Sequence, residues 1–159
     1  MKHLKNLLLA VFALNLVVSC SEDDDSNGNV NFSSADTIAL TDAVNDGTWR
    51  ITQFIDDDEN ETSDYNGAIF TFNSDGTIDV EMGMDMFSGT WSIELDDDDD
   101  DLDDLDELEF DISFSNSNNF DDLSDDWYVI EYSNNRIRLS EDDDDDDDDD
   151  DLLTFERIQ

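Results

Sequence analysis

Proline is absent from the 159 residues, cysteine and histidine occur once each, and six basic residues stand against 47 Asp and Glu. The scarcity is sharper than these totals suggest, because Lys2, His3 and Lys5 all fall within the first five residues. From Cys20 onward the only cations are Arg50, Arg136, Arg138 and Arg157, so that four arginines against all 47 acids leave a net charge of −43. Each absence excludes a class of chemistry. A single cysteine forms no disulfide within the chain, and without Cys and His partners there is no zinc site of the usual kind. Cys-His and Ser-His-Asp catalysis lack their base, and Schiff-base chemistry lacks its lysine. DNA or RNA binding requires basic surface to neutralise phosphates, which this composition does not supply, so no nucleic-acid partner is expected.

What is present begins with an address. Met1–Asn6 is short and basic, and residues 7–18 form the apolar run L-L-L-A-V-F-A-L-N-L-V-V, the charged-then-apolar order of a secretory signal. As a helix, twelve residues at about 1.5 Å each cover roughly 18 Å, well short of a hydrocarbon core of about 30 Å, which argues against a spanning anchor. The run closes on Val17-Val18-Ser19-Cys20. This V-V-S-C segment resembles the lipobox of bacterial lipoproteins. The resemblance implies a signal peptide over residues 1–19, cleavage before Cys20 and acylation at Cys20. Acyl chains contribute about 0.8 kcal/mol per buried CH₂, so several of them hold a soluble domain on a bilayer. Ser21-Glu22-Asp23-Asp24-Asp25 follows directly. A serine and acids after the lipidated cysteine resemble the surface-export signal of Bacteroidetes-type lipoproteins, which implies a lipid-anchored protein of the outer membrane, exposed at the cell surface.

Residues 20–34 are dominated by Ser, Asp, Asn and Gly and read as a flexible acidic tether. Residues 35–46 read as a short helix-like lead-in, with Gly47 able to terminate it. Beyond Gly47 the apolar residues alternate with period two, the signature of strands. Trp49, Ile51 and Ile55 share one face of the first segment, with Gln53 among them; Phe70 and Phe72 share a face of the next. Ile78, Val80 and Met82 alternate after the turn Ser74-Asp75-Gly76. Residues 89–95 and 108–114 alternate without a fault, Trp127–Tyr132 is bulky on both faces, and Ile137/Leu139 and Leu152–Ile158 complete the set. The expected fold is therefore all-β: eight antiparallel strands in an up-and-down meander over residues 47–159, able to close into a barrel and so remove their exposed edges. The acids concentrate between these segments, at 56–58, 96–101, 103–107, 121–126 and 141–151, so the charge sits in loops and leaves the strands apolar. An alternating meander puts the turns at 74–76 and 133–135 at the helix end. The connections at 56–67, 83–88, 115–126 and 140–151 then fall at the opposite end, which becomes a mouth rimmed with carboxylates, while the Asp96–Asp101 run belongs to the helix end.

Gly47-Thr48-Trp49 resembles the G-x-W motif that opens the first strand of lipocalins, and Leu153–Ile158 (L-T-F-E-R-I) is similar to the last strand of lipocalin-like domains in Bacteroidetes lipoproteins. F-T-F-N-S-D-G-T (70–77) and G-T-W-S-I (89–93) are similar to motifs of the same group. The resemblance covers residues 47–159 and implies a barrel-closing pair, with the Arg157 guanidinium over Trp49, a contact of about 0.5–2 kcal/mol. It also implies an apolar interior for a small hydrophobic ligand. Compared with lipocalins the chain is short and lacks a C-terminal helix and disulfides, so the strands enclose a small cavity or none. Phe70, Phe72, Trp91, Phe110, Phe114 and Trp127 are the candidates either to line a ligand site or to fill the core themselves.

The Asp runs invite a second chemistry. Ca²⁺ takes six to eight oxygen ligands, and Asp142, Asp144, Asp146, Asp148 and Asp150 are weak candidates for loose Ca²⁺ association. No defined site is encoded: aligning an EF-hand loop on Gly76 places Thr71 and Met82 at its ends, and neither supplies a carboxylate. A solvated low-complexity loop is the leading reading of the run. Paired carboxylates also serve glycoside hydrolysis, but with 47 acids some pair always meets the distance, and no enzymatic activity is expected. The two functional expectations are a surface lipoprotein whose lipocalin-like barrel binds a small hydrophobic ligand, and a non-enzymatic structural or interaction lipoprotein whose acidic loops associate loosely with divalent cations. Neither the protein partner nor the oligomeric state is encoded legibly.

Overall fold

The computed structural model describes residues 31–96, 106–115, 120–141 and 151–158. Helix α1 (Ser34–Asn45) begins where Ser33 and Asp36 form a capping box, the Asp36 carboxylate accepting the Ser33 backbone N–H at 3.0 Å. This satisfies a donor otherwise left orphaned at a helix start. Strands β1 (Trp49–Asp56), β2 (Glu59–Asn60), β3 (Ala68–Phe72), β4 (Thr77–Met82), β5 (Asp85–Asp96), β6 (Glu107–Ser113), β7 (Asp126–Ser133), β8 (Arg136–Ser140) and β9 (Leu152–Arg157) follow. All pairings are antiparallel between sequence neighbours, apart from β1 with β3 across the small β2 hairpin, and β1 also pairs with β9. Eight strands thus form a closed up-and-down barrel; β2 is a two-residue spur on the mouth end of β1.

The two seams of β1 differ. Against β9 it pairs from Trp49↔Arg157 to Ile55↔Leu152, whereas against β3 the register holds only Trp49↔Phe70. Above that pair the segment after β2 takes over the edge of β1. Phe54 N–H donates to Thr62 Oγ1 at 2.8 Å, and Glu61 N–H donates to Phe54 O at 3.0 Å. The edge groups are therefore satisfied by loop residues where the strands splay apart.

Bulges change which residues face inward. A register shift between Ile51 and Gln53 inserts Thr52 as an extra residue in β1, and an inserted residue inverts the alternation beyond it. Phe54 is consequently buried, and Ile55, expected to share the face of Trp49 and Ile51, is only half-buried. A second shift between Val129 and Glu131 leaves Ile130 on the outside and puts Tyr132 opposite buried Ile137. This accounts for the bulk on both faces of β7. The expected connection at 83–88 is also shorter than its sequence suggests. Met82 pairs with Asp85, so Gly83 and Met84 alone make the turn and β5 runs for 12 residues. The folded body begins earlier than residue 35: Phe32 is buried, stacks 6.3 Å from Tyr132 and donates its N–H to Asp106 O. Phe32 is the largest apolar residue of the 20–34 stretch and so has the most surface to gain by burial.

Phe70, Phe72, Phe110, Phe155, Trp127, Val80, Ile78 and Leu153 are all within 5% of full burial, in one continuous core with the α1 residues Leu40 and Val44. Gly89 sits where β5 and β6 touch: a Cβ there would lie 2.5 Å from Ser113 O and 2.7 Å from the Phe114 ring. Gly89→Ala is expected to lower stability by about 1–3 kcal/mol, the range for overpacking a tight core, read as a fall in the urea midpoint at unchanged m. An unchanged midpoint would mean that the ring does not rest on the glycine.

Candidate functional site

All six candidate lining residues are buried in the barrel interior, where each meets another aromatic ring, Phe72, Trp91 and Phe110 one another and Phe70, Phe114 and Trp127 rings outside the six. Phe72 lies 5.6 Å from Trp91, 5.6 Å from Phe110 and 5.5 Å from Phe155, centroid to centroid, while Phe70 lies 5.4 Å from Phe155. Trp91 and Phe110 are 5.8 Å apart, and Trp127 meets Phe54 at 6.3 Å. These separations are those of rings in direct edge-to-face or tilted contact. The lumen between these side chains is occupied by the side chains themselves.

Both ends are stoppered. At the mouth, the 3-10 turns Thr62–Tyr65 and Asp121–Leu123 bring Tyr65, Phe120 and Leu123 inward, all buried. Phe120 lies between 4.8 and 5.9 Å from the rings of Phe87, Phe114, Tyr65 and Phe70. Trp127 Nε1–H donates to Leu123 O at 3.2 Å, tying the second turn to β7. At the other end α1 covers the opening with Leu40, Ala43 and Val44. Sequence reading did not single out Phe120, Tyr65, Phe54 or Phe155. For Phe120 the signal was present: an aromatic inside an Asn- and Asp-rich connection has no reason to be there unless it folds back.

The barrel-closing pair sits at the helix end. The Arg157 guanidinium carbon lies 5.1 Å from the centroid of the Trp49 ring. Arg157 Nη2 donates to Ala43 O at 2.6 Å, Nη1 pairs with Asp46 at 2.9 Å, and Trp49 Nε1–H donates to Val44 O at 2.9 Å. Both residues therefore cap the last turn of α1, whose own sequence supplies no cation there. A cation at a helix C-terminus, bonded to its open carbonyls, is favoured by the dipole as well as by the hydrogen bonds. Gly47, at φ +113°, turns the chain from helix to β1 and lets the Arg157 stem pass beside it.

The mouth is acidic among the described residues. Asp56 and Glu59 close a two-residue turn whose centre, Asp57 and Asp58, takes φ values of +46° and +65°, the left-handed conformation that such a turn demands. Asp57 N–H donates to Asp151 Oδ1 at 3.0 Å. Beside it, partial burial, a hydrogen bond with Asp151 and the charges of Asp151 and Glu61 push Asp56 up to about 6. Burial and the neighbouring Asp122 and Asp64 raise Glu61 as well. On the barrel wall Asp126, opposite Asp111, is raised by the hydrogen bond they share. Near the helix end, by contrast, hydrogen bonds from Ser33 and Tyr132 hold Asp36 below the usual range. Among the described residues no group of three or more His, Cys, Asp or Glu is placed to hold a metal ion, and no helix is long and apolar enough to cross a membrane. Cys20 and the Ca²⁺ candidates Asp142, Asp144, Asp146, Asp148 and Asp150 lie outside the described residues.

No family model matches the chain, and no curated protein sequence matches it either. The lipocalin resemblance therefore stands on the residues quoted for it and on a barrel of the same architecture.

The carboxyl pair at the mouth makes a pH prediction. Asp56 keeps its proton to about pH 6 in the folded chain and loses it near 3.8, its ordinary value, when unfolded. Between those values the folded state binds more protons, so this group's contribution to stability falls as pH rises through the window. At constant ionic strength, the thermal midpoint of wild type should drop more between pH 4 and pH 7 than that of Asp56→Asn. An equal or steeper drop in the variant would show that Asp56 and Asp151 do not share a proton.

Proposed function

We propose that the chain is a non-enzymatic surface lipoprotein: a barrel held to the outer membrane by lipid on Cys20, presenting its acidic mouth away from the bilayer. The observation that carries this reading is the occupied interior. A ligand-carrying barrel keeps its lumen free or wet, whereas here Phe70, Phe72, Phe110 and Phe155 touch across it. A barrel of this size is filled by its own side chains or holds one small ligand, and the ring contacts favour the first. The V-V-S-C segment supports the anchor. The place where the chain joins the fold supports the orientation, since Phe32 packs at the helix end, opposite the mouth. The acidic loops are then the outward surface, where carboxylates in series favour divalent counterions. Association there is loose and collective, without a defined coordination sphere.

One observation favours a second reading, in which the barrel takes a small hydrophobic ligand. Phe120 is a plug on a connection, not on a strand, and its slot is lined by aromatic rings. Displacing it would open an apolar pocket at the mouth end.

Two readouts on the same proteins separate these readings. Expressed in a Gram-negative host with radiolabelled palmitate, the wild-type chain should carry the label and sediment with membranes, and Cys20→Ala should do neither; an unlabelled wild type contradicts the anchor. The soluble Cys20→Ala protein should give no saturable fluorescence with an anilinonaphthalene dye, and adding Phe120→Ala should create it. Saturable binding without the Phe120 change would favour the ligand carrier over the solid barrel.

A further inference from the structure

Among the described residues, three steps put a glycine directly after an Asp or Asn: Asp46–Gly47, Asn66–Gly67 and Asp75–Gly76. In such a step the glycine nitrogen is placed to attack the side-chain carbonyl carbon before it, because no Cβ obstructs the approach. The attack needs both groups released from hydrogen bonds, and backbone N–H groups are strong donors that do not give up a partner cheaply. Two of the three steps are held. Asp46 pairs with Arg157 at 2.9 Å, and the Arg157 stem runs beside Gly47. The Asp75 carboxylate accepts the Thr77 N–H at 3.2 Å and the Thr77 hydroxyl at 2.7 Å, while Gly76 N–H donates to Asn73 O at 3.0 Å. An ionised carboxylate is in any case a poorer electrophile than an amide.

Asn66–Gly67 is open on both counts. It forms the turn between the 3-10 segment Thr62–Tyr65 and β3, and both residues are exposed. The Asn66 backbone N–H donates to Ser63 O at 3.3 Å, but among the described residues the Asn66 side-chain amide bonds nothing and the Gly67 N–H has no acceptor. Gly67 takes φ +88°, with open space where a Cβ would point. Elsewhere Asn45, Asn60, Asn73 and Asn135 each have a hydrogen-bonded side chain.

We infer that Asn66 is a site of spontaneous modification, its side chain closing on the Gly67 nitrogen to a succinimide that water opens to aspartate or isoaspartate. The bond from Gly67 N to Asn66 Cγ forms as the Cγ–Nδ2 bond breaks. The Gly67 nitrogen gives its proton to solvent, and Nδ2 takes one up and leaves as ammonia. One water then restores a carboxylate, so neither oxidant nor reductant is needed. The position gives the change a consequence. Tyr65 and Ala68, on either side of the step, are both buried, and the Tyr65 ring lies 5.4 Å from Phe54 and 5.8 Å from Phe120. Isoaspartate inserts one carbon into the main chain between these two anchors, and close-packed interiors accommodate such displacements poorly. Either product also adds a negative charge to a rim where Asp122 and Asp64 already act on Glu61. Both changes work against the seating of Tyr65, so the mouth loosens as the molecule ages.

The test uses the unlipidated mature chain (residues 20–159) carrying Asn27→Gln, which removes the other Asn–Gly step of the sequence. After incubation in neutral buffer, peptide mapping with isoaspartyl-methyltransferase labelling should find Asn66 converted at least tenfold faster than Asn45, Asn60, Asn73 or Asn135. Asn66→Gln should abolish both that label and the matching release of ammonia; it alters an exposed side chain that bonds nothing, so loss of folding does not confound it. Chain enriched in isoaspartate at position 66 should have a lower urea midpoint, at unchanged m, than Asn66→Asp, which carries the same charge without the extra carbon. Conversion of Asn66 no faster than that of the other four, or conversion only after urea has unfolded the chain, overturns the inference. A midpoint equal to that of Asn66→Asp overturns the loosening of the mouth.

Discussion

The pairing of the first strand with the last, sealed by Arg157 over Trp49, is the constraint on which the rest of the molecule depends. An antiparallel meander ends in two edges, and an edge offers unpaired N–H and C=O groups to other chains. Here β1 and β9 remove both edges along a six-pair seam. The seal then reaches a third element, because the same arginine and tryptophan bond the open carbonyls of α1 at Ala43 and Val44. Helix, first strand and last strand are thus locked at one point, which fixes the helix as the floor of the barrel. The opposite seam, β1 with β3, holds by a single pair, so closure of the wall falls to β9.

That closure also explains how so acidic a chain folds. High charge with few apolar residues ordinarily leaves a chain unfolded, and net charge of this size opposes compaction by self-repulsion. The barrel separates the two tendencies in space: the described phenylalanines and tryptophans pack in a common core, while the acids lie in the connections or, like Glu94, Glu131 and Glu156, on the outer side of the strands. Deleting one buried Phe ring from such a core costs about 3–5 kcal/mol, so the aromatic interior carries enough stabilisation to hold the charged loops together. The proposed role rests on the same separation: rings touch across the interior, and the acidic connections remain at the surface.

Much of this was legible in the residues. Period-two alternation located all eight staves, and the chain order fixed which connections share an end. Gly47-Thr48-Trp49 with Arg157 marked the seal. What escaped has identifiable physical causes. Thr52 and Ile130 are inserted residues, and a bulge carries no compositional mark, so the inward face of β1 after Ile51 passed to Phe54. Asp85–Ser88 was read as part of the connection 83–88, yet pairing with β4 holds it as strand. Phe32 and Phe120 were hidden by the polar residues around them: burial of a lone aromatic is decided by a distant partner, Tyr132 or Phe87, which local pattern does not reveal.

Native-state hydrogen exchange on the β1 and β9 amides tests closure most directly. If the barrel is closed through these strands, their hydrogen-bonded amides open only with global unfolding and show the same opening free energy as those of β4, β5 and β6. If the β9 amides exchange through a local opening several kcal/mol below the global value while β4–β6 remain protected, the sheet is open at that seam and the closed-barrel account is wrong.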